Sequence, residues 1–419
     1  MNFKISFFAI PLFLVSNFVF GQITNVEGSK YQFKKIAHHD ATLVESQGKT
    51  STCWSFSALS FFESEIMRIS GKKEVTPLAE MFVVRKAYEM KATKYIRMDG
   101  KINFAQGGAF HDIPLVIRNY GIVPYPIYSG METTTDVNWS DFNQDGTLKK
   151  EVKFTYNHEQ LFNELNAKMK EVLATIYDPK GVNMNWKEEF KALLDKNLGK
   201  DINSFEWQGK KYTPRSYADE LGLKMDNYVS LTSFTNHPMN EKCMLEIPDN
   251  WAWGESYNVS LDDLFNVTVD ALKNGYTVAW GADVSEKGFS FKNGIAIVPK
   301  DESTIEVKGQ DSKGFNDAGA DRSSNAFLNL TEELNITQEL RQLGYDNKTT
   351  QDDHGMHIVG LYQDQNGKNY FLVKNSWGTN NLPKGYLYVS EAYFKYKTIN
   401  VYLHKDGVSN SVKSKINLK

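Results

Sequence analysis

A long apolar segment that begins at a cysteine constrains the fold more than any other feature of the sequence. From residue 56 to residue 69, aromatic and aliphatic side chains recur at helical spacing, and Gly71 follows them. This spacing predicts a buried helix that begins close to Cys53 and ends at Gly71. Ser51 or Thr52 can cap its first turn. A thiol placed there lies near unpaired backbone N–H groups and the positive end of the helix dipole, and both favour the thiolate. Cys53 is therefore a candidate nucleophile, although a lone cysteine is more often a small core residue.

Length and composition leave the broad class open but exclude some partners. The 419 residues could form one large domain or two to three smaller ones. A hydrophobic content of 41% and a charged content of 24% are ordinary for a globular protein. The formal net charge of -3 gives no electrostatic reason to expect nucleic acid or an anionic membrane surface as a partner.

The first 21 residues are typical of a secretory signal peptide. Lys4 supplies a positive start, an apolar run follows, and Gly21 stands at a cleavage-type position. An uncleaved anchor is the alternative, but the run is short and no later segment is long and apolar enough to span a bilayer. We therefore expect an exported protein, periplasmic or secreted, that is not held in a membrane after cleavage. Residues 22–419 would form the folded domain.

The two cysteines, Cys53 and Cys243, limit how the chain can be stabilised. They could form one disulfide or remain free. If Cys53 is a nucleophile, the disulfide is excluded, and stability must come from packing rather than from bridges.

Periodicity predicts a helical first half and a strand-rich second half. Thr76 and Pro77 predict the start of a helix that runs to about Lys91. Residues 131–225 are charged and predict an all-helical insertion. A further helix is predicted at 261–273. Alternating apolar residues predict strands at 228–234, 277–283, 295–298, 356–362, 370–374, 385–389 and 400–404.

Two links in the second half complete this pattern. Asn366-Gly367 joins two of the predicted strands as a hairpin, because Asn-Gly tolerates the positive φ angles of a tight turn. Residues 300–329 are polar and glycine-rich and predict a surface loop.

A nucleophilic cysteine needs a base, and the base needs a partner that orients it. His354 stands at the head of a predicted strand, where a loop end leaves the ring free to move. Asn375 ends the partner strand of the hairpin and could accept the N–H of His354, while Trp377 would shield the contact from water. His357 points to the opposite face of the strand, so we expect no metal shared with His354. His357 is the alternative base.

The chemistry-bearing residues, in their order along the chain, resemble those of papain-like cysteine peptidases: Gln47, Cys53-Trp54, His354 and Asn375-Ser376-Trp377-Gly378. The long separation between cysteine and histidine resembles one branch of them, the bleomycin hydrolase or aminopeptidase C family. The resemblance covers essentially the whole chain after the signal peptide. It includes Gly107-Gly108, residues 120–124, residues 228–231 and residues 385–387.

The resemblance implies an α+β fold and a set of residue roles. The fold would be papain-like and two-lobed, with a helical lobe, an antiparallel β-barrel-like lobe, a cleft between them and the helical insertion. Cys53 would be the nucleophile, His354 the base and then the acid, and Asn375 the residue that orients His354. Gln47 would be an oxyanion donor beside the Cys53 backbone N–H.

Thiol energetics support a histidine partner independently. Lowering a thiol pKa from ~8.5 to ~4 corresponds to about 6 kcal/mol in favour of the thiolate. A helix N-terminus supplies at most about 2 kcal/mol of this. An imidazolium is therefore needed beside Cys53.

Substrate contacts and partners also follow from the resemblance. Gly107 and Gly108 either turn the chain or expose backbone to a bound peptide, and Trp377 completes the candidate substrate-binding set. We expect peptide substrates, no cofactor and no metal. The hexameric ring of the family is a possible oligomer.

Three departures from the family pattern bear on activity. Ser51 stands where glycine is usual, and the chain has an export signal, whereas familiar bleomycin hydrolases are intracellular. In the family, a C-terminal arm lies in the cleft and its carboxylate meets the free amine of the substrate. Here only the short segment 408–419 follows the last predicted strand. We expect an aminopeptidase acting on short peptides. An endopeptidase of the same mechanism and a catalytically silent peptide-binding or scaffold relative are the alternatives.

Overall fold

A computed structural model of the chain describes residues 23–130, 156–175, 185–308 and 321–419. The predicted signal peptide and residues 131–155 of the predicted insertion lie outside this range. The helices are α1 (Cys53–Ser70), α2 (Glu80–Arg97), α3 (Asp112–Tyr120), α4 (Glu159–Thr175), α5 (Trp186–Leu198), α6 (Pro214–Glu220), α7 (Leu261–Lys273), α8 (Gln338–Asp346), α9 (Glu391–Lys397) and α10 (Asn410–Lys415). The strands are β1 (Lys34–His38), β2 (Phe205–Trp207), β3 (Lys210–Tyr212), β4 (Tyr228–Thr232), β5 (Lys242–Met244), β6 (Glu255–Asn258), β7 (Val278–Ala282), β8 (Phe289–Ser290), β9 (Ile295–Ala296), β10 (Glu306–Lys308), β11 (Asp321–Ser323), β12 (His354–Gln363), β13 (Asn369–Lys374), β14 (Tyr386–Ser390) and β15 (Thr398–His404). None of these helices is long and apolar enough to cross a membrane.

The predicted central helix is confirmed as α1, which starts at Cys53. It is buried from Cys53 to Met67 and ends at Gly71, whose φ of 69° is left-handed and whose N–H donates to Met67 O at 2.8 Å. The predicted side-chain cap is wrong. Thr52 is the N-cap residue, but its hydroxyl forms a 2.5 Å hydrogen bond with the hydroxyl of Thr50 and caps no backbone N–H.

One sheet of eleven strands forms the second lobe. The strand order is β5-β6-β4-β15-β7-β12-β13-β14-β9-β8, and β1 also pairs with β12. The pairs β4–β6 and β9–β14 are parallel, and the others in this sheet are antiparallel. The predicted strands and the predicted hairpin at Asn366-Gly367 belong to this sheet.

The central strands β7 and β12 separate two hydrophobic cores. On one face, Ala279 packs into the core that contains α1, α2, α3, α4 and α5. On the other face, Trp280 and Met356 pack with α7. Because neighbouring residues of a strand point to opposite faces, α1 and α7 lie on opposite sides of the sheet. The predicted helical lobe and strand-rich lobe are therefore both present.

The described part of the insertion is not all-helical, so that prediction is wrong. It contains α4, α5 and α6, but also the hairpin β2–β3. The hairpin turns at Gln208 and Gly209, whose φ angles are both positive, at 49° and 75°. Each strand has only three residues, which is too short to show a period of two in the sequence.

Other element boundaries also differ from the predictions. Helix α2 begins at Glu80 rather than at Pro77 and continues past Lys91 to Arg97. Leu78 is held in extended backbone because it bridges to Pro124 and its N–H donates to Glu63 Oε1 at 2.7 Å. In the predicted loop 300–329, β10 pairs with β11.

Candidate active site

Cys53 lies at the floor of a narrow cleft between the two lobes. It is the first residue of α1 and is 7% exposed. The helical lobe contributes Cys53, Trp54 and Gly108 to the cleft, and the sheet lobe contributes His354 at the start of β12. The structure thus brings Cys53 and His354 to one cleft from positions far apart in the sequence.

The ring of His354 is fixed by Asn375. Nε2 of His354 and Oδ1 of Asn375 are 2.7 Å apart, and the backbone N–H of Ser376 donates to the same Oδ1 at 2.7 Å. Since Oδ1 acts as an acceptor, Nε2 is the donor and carries the hydrogen. In the neutral ring Nδ1 is then unprotonated, as a base requires. Nδ1 is buried and has no hydrogen-bond partner within the described residues.

Trp377 covers the His354–Asn375 pair. The ring centroids of Trp377 and His354 are 4.7 Å apart with a 36° tilt. Trp377 is 1% exposed, and the rings of Phe289 and Phe291 pack against it edge-on at 6.0 and 5.4 Å. The tryptophan is therefore placed to exclude water from the histidine–asparagine contact. Its predicted contact with substrate stays a prediction.

Burial makes His354 a poor proton carrier by itself. It lowers the pKa of His354 to about 4, although the Asn375 hydrogen bond and the charge of Asp353 act in the opposite direction. The ring is thus neutral at pH 7 unless a further anion lies beside it. A thiolate at Cys53 is such an anion, so the two groups can stabilise each other's charged forms.

Gln47 links the cysteine loop to the asparagine strand. Its Oε1 accepts from Ser376 Oγ at 2.7 Å, its Nε2 donates to Thr50 O at 2.7 Å, and its backbone N–H donates to Ser376 O at 2.9 Å. The side chain is 0% exposed. The structure thus places Gln47 beside the site, where its contacts tie the two halves of the site together. Its predicted role as an oxyanion donor stays a prediction.

The two predicted glycines allow close packing at the cleft wall. A Cβ on Gly108 would lie 2.6 Å from Asp112 Oδ2 and 2.8 Å from Trp54 Cε2. A Cβ on Gly107 would lie 1.8 Å from Asp249 Oδ2. Gly108 lines the cleft, and Gly107 packs against the carboxylate of Asp249, which also lines it. Their contact with a bound peptide stays a prediction.

His357, the alternative base, is separated from the cleft. It is 0% exposed, and its Nδ1 lies 2.9 Å from Ser60 Oγ on the inner side of α1. Burial and the charge of Lys374 lower its pKa well below the usual value. The structure therefore favours His354 as the base.

Neither cysteine forms a disulfide, so the alternative of a disulfide is wrong. Cys243 lies in β5, on the edge of the sheet. Burial and the charges of Glu246 and Glu255 raise the pKa of its thiol to about 11. Cys243 is therefore an unreactive thiol at neutral pH.

Sequence reasoning missed a set of carboxylates at the cleft. Asp249, Asp352 and Asp353 line it, and Asp112 lies behind Gly108. Two of them stand directly before His354 in the sequence, and this adjacency was the signal available. Within the described residues, no group of three or more histidine, cysteine, aspartate or glutamate side chains could hold a metal ion.

The two-lobed architecture with a cysteine and a histidine in the cleft defines the class of papain-like cysteine peptidases. The fold prediction is therefore confirmed. The chain belongs to the Peptidase C1-like family, whose model matches residues 79–314. The model of the papain family cysteine proteases matches residues 333–403. The protein is thus a cysteine-type peptidase.

Known proteins agree with this assignment over most of the chain. Aminopeptidase C of Lactococcus lactis subsp. lactis is 20% identical over 389 residues, which cover 87% of this chain and 80% of the relative. Aminopeptidase E of Lactobacillus helveticus is 21% identical over 407 residues, which cover 89% and 83%. The crystal structure of PepW from Lactobacillus rhamnosis superposes with a TM-score of 0.66 at 17% identity and covers 92% of this chain and 84% of that one.

Proposed function

We propose that this protein is an exported aminopeptidase that uses Cys53, His354 and Asn375 as a catalytic triad. One observation carries the proposal: His354 is bound to Asn375 through Nε2, its Nδ1 has no hydrogen-bond partner among the described residues, and the ring lines the same cleft as Cys53. This is the arrangement that an activated thiol nucleophile needs.

The proposed reaction is acyl transfer in two steps. Cys53 loses its proton to Nδ1 of His354, and the thiolate attacks the carbonyl carbon of the scissile amide. The C–N bond breaks, the departing amine takes the proton from His354, and a thioester remains on Cys53. Water then attacks the thioester with His354 as the base, and the acid product leaves as the thiol recovers its proton.

The tetrahedral intermediates need donors for their oxyanion. The backbone N–H of Cys53 and the amide of Gln47 are the candidates. The Gln47 side chain is already held by Ser376 and Thr50, so it would need little further ordering. Losing one such donor typically costs about 3 to 4 kcal/mol of barrier stabilisation.

We further propose that the enzyme acts as an exopeptidase at the free amino end of its substrates. The relatives named above are aminopeptidases, and they match most of this chain. The cleft is narrow and carries three carboxylates, which suits a substrate that brings a free, positively charged amino end. For export, the support is the apolar sequence of residues 1–21 with its positive start.

The first prediction tests the nucleophile. Cys53→Ala should lower kcat/KM for aminoacyl-coumarin substrates by about 10⁴-fold or more, because no other group in the cleft can form the thioester. Cys243→Ala is the matched control, since it removes the other thiol and should leave turnover unchanged. Turnover that persists in Cys53→Ala would refute the assignment.

The same assay separates the alternatives. If N-terminally blocked peptides are cleaved as fast as free ones, the enzyme is an endopeptidase. If Cys53 fails to react with an epoxide or iodoacetamide at neutral pH, the protein is a silent peptide-binding relative.

A further inference from the structure

The cleft beside Cys53 has more carboxyl groups than cations among the described residues. The charged groups that act on Asp352 are Asp249, Asp353 and Asp112, and all three are carboxylates. The amine of Lys91 offsets the charges of Asp112 and Asp249. Asp352 has no such cation among the described residues, so a positive charge is missing from its surroundings.

Asp352 also differs from the other carboxylates in its hydrogen bonds. Asp353 accepts from two backbone N–H groups, Asp249 from an asparagine amide and Asp112 from a tryptophan N–H. Oδ2 of Asp352 is buried and accepts no hydrogen bond in the part of the chain that the structure describes. Oδ1 of Asp112 shares this property, but Asp112 is 0% exposed and lies behind the cleft wall. Among the described residues that line the cleft, Asp352 is therefore the carboxylate with a buried oxygen, Oδ2, that has no donor.

The C-terminal segment, which the family resemblance suggests for binding the free amine of the substrate, does not lie at the cleft. After β15, Val412 and Ile416 of the α10 region pack into the core that surrounds α7. Nζ of Lys415 lies 2.7 Å from Asp263 Oδ2, which is also on α7. Since α7 and α1 lie on opposite sides of the sheet, residues 408–418 are held away from Cys53.

We propose that the carboxylate of Asp352 binds the free α-ammonium group of the peptide substrate. This inference rests on the proposed aminopeptidase function. Asp352 precedes the base His354 by two residues, so its backbone lies at most roughly 7 Å from that of His354. Asp352 and Cys53 line the same cleft, so we expect the amino end of a substrate whose scissile carbonyl lies at Cys53 to come within reach of the Asp352 side chain.

An ammonium group would satisfy what Asp352 lacks. It brings a positive charge and N–H donors to a carboxylate that burial and neighbouring charges disfavour in the ionised form. These effects raise the pKa of Asp352 well above its usual range in the empty cleft. A peptide α-amino group has a pKa near ~8 and is largely protonated at neutral pH. A blocked amino end offers no such charge, so Asp352 would favour free peptides over blocked ones.

The second prediction tests this contact with Asp352→Asn and two matched substrates. Phenylalanyl-coumarin and its desamino analogue, 3-phenylpropionyl-coumarin, differ only in the α-amino group. The variant should lower kcat/KM for phenylalanyl-coumarin by about 30- to 1,000-fold, mainly through KM, because the charged partner of the ammonium is lost. It should leave kcat/KM for the desamino analogue within a few-fold. The effects on kcat/KM of Asp352→Asn and of removing the α-amino group from the substrate should therefore be non-additive.

Stability measurements keep a folding defect apart from lost binding. Asp352→Asn neutralises a half-buried carboxylate whose Oδ2 accepts no hydrogen bond from the described residues, so the melting temperature of the free enzyme should be unchanged or higher. Iodoacetamide should label Cys53 of the variant at the wild-type rate. Asp346→Asn, an exposed carboxylate on α8, is the charge-matched control. Asp352→Glu should keep part of the preference for the free amine.

Each other outcome has a definite meaning. If wild-type enzyme does not distinguish the two substrates, the aminopeptidase proposal itself fails. If wild-type distinguishes them and Asp352→Asn does so equally, only the role of Asp352 fails. A lower melting temperature with equal losses for both substrates would show a structural role and overturn the inference. The inference would also be overturned if Asp352→Asn lowered kcat/KM only for N-blocked substrates that carry a lysine side chain.

Discussion

Two buried histidines on one strand, His354 and His357, lie in different electrostatic surroundings. Both lie on β12, and burial lowers the pKa of both. The neighbouring charges differ in sign. Asp353 acts to keep His354 protonated, whereas Lys374 acts to keep His357 neutral. Only the first environment can hold an imidazolium, and this environment opens to the cleft.

The surroundings of His357 form an internal polar cluster under α1. Nζ of Lys374 donates to Ser60 Oγ at 2.8 Å and to Thr42 Oγ1 at 3.1 Å, and Ser60 in turn contacts His357. The buried carboxyl of Glu63, whose pKa burial raises to about 7, accepts from Thr42 and from a backbone N–H. These groups mostly partner one another, which is typical of a structural network. The burial of His357 is therefore explained by internal contacts, whereas His354 lines the cleft.

The third prediction concerns His354, the histidine that lines the cleft, and gives the largest expected loss of activity among the changes to this strand and its partner. His354→Ala should lower kcat/KM by about 10³-fold or more, because the thiol loses both its base and its counter-ion. Without the imidazolium, the thiol should titrate near its ordinary pKa of ~8.5, so iodoacetamide labelling should fall about tenfold per pH unit below that value. Wild-type labelling should persist below pH 7. An unchanged labelling profile would contradict the ion pair.

The fourth prediction weakens the support of the same ring. Asn375→Ala should lower kcat by about 10- to 100-fold, because His354 keeps its chemistry but loses the acceptor that fixes its orientation. Thiol labelling should change less than in His354→Ala, and Asn375→Asp, which keeps the acceptor oxygen, should recover part of the rate. A loss as large as that of His354→Ala would mean that Asn375 does more than orient the ring.

The fifth prediction concerns the interior histidine and has the smallest expected effect on activity. His357→Gln should leave kcat/KM within a few-fold of wild-type and reduce stability by about 1 to 3 kcal/mol at pH 7.5, because the contact with Ser60 is disturbed. Urea unfolding measures the stability, and coumarin release measures the activity. A large kinetic loss without unfolding would identify His357 as the base.

The pH dependence of that stability difference has a definite sign. The folded-state pKa of His357 is below its unfolded value of ~6.5. As the pH falls below 6.5, the unfolded wild-type chain takes up a proton that the folded protein does not, so wild-type loses up to about 1.4 kcal/mol per pH unit at this site. The variant lacks this loss. The stability gap between the two proteins should therefore narrow from pH 7.5 to pH 5, and a gap that widens would contradict the buried neutral ring.

Sequence periodicity predicted the elements whose signals are local. Helix α7 has the predicted bounds because Ser260 caps it and apolar residues repeat at helical spacing. The hairpin of β12 and β13 was marked by its Asn-Gly turn. Cys53 was predicted near the start of a helix and His354 at the head of a strand, and α1 and β12 begin at these residues.

The features that sequence analysis missed depend on long-range packing. The parallel pairings β4–β6 and β9–β14 were not predicted, because periodicity along one strand does not identify its partner. The four-residue strand β6 and the seven-residue helix α9 are too short to show a clear period. Asp352 looks like an ordinary loop carboxylate in the sequence, because only the folded chain buries it beside Asp249. The location of residues 408–418 on α7 likewise follows from a core that the sequence does not display.

The packing of α10 on α7 has a consequence for how such a chain can change over time. Residues there are constrained by the fit of Val412 and Ile416 to the core, so substitutions in that segment are screened for stability. If Asp352 binds the substrate amine as proposed, substrate choice depends instead on the few positions just ahead of β12. Selection on the stability of the fold and selection on substrate preference would then act on separate stretches of the sequence. Either stretch could change without altering the other.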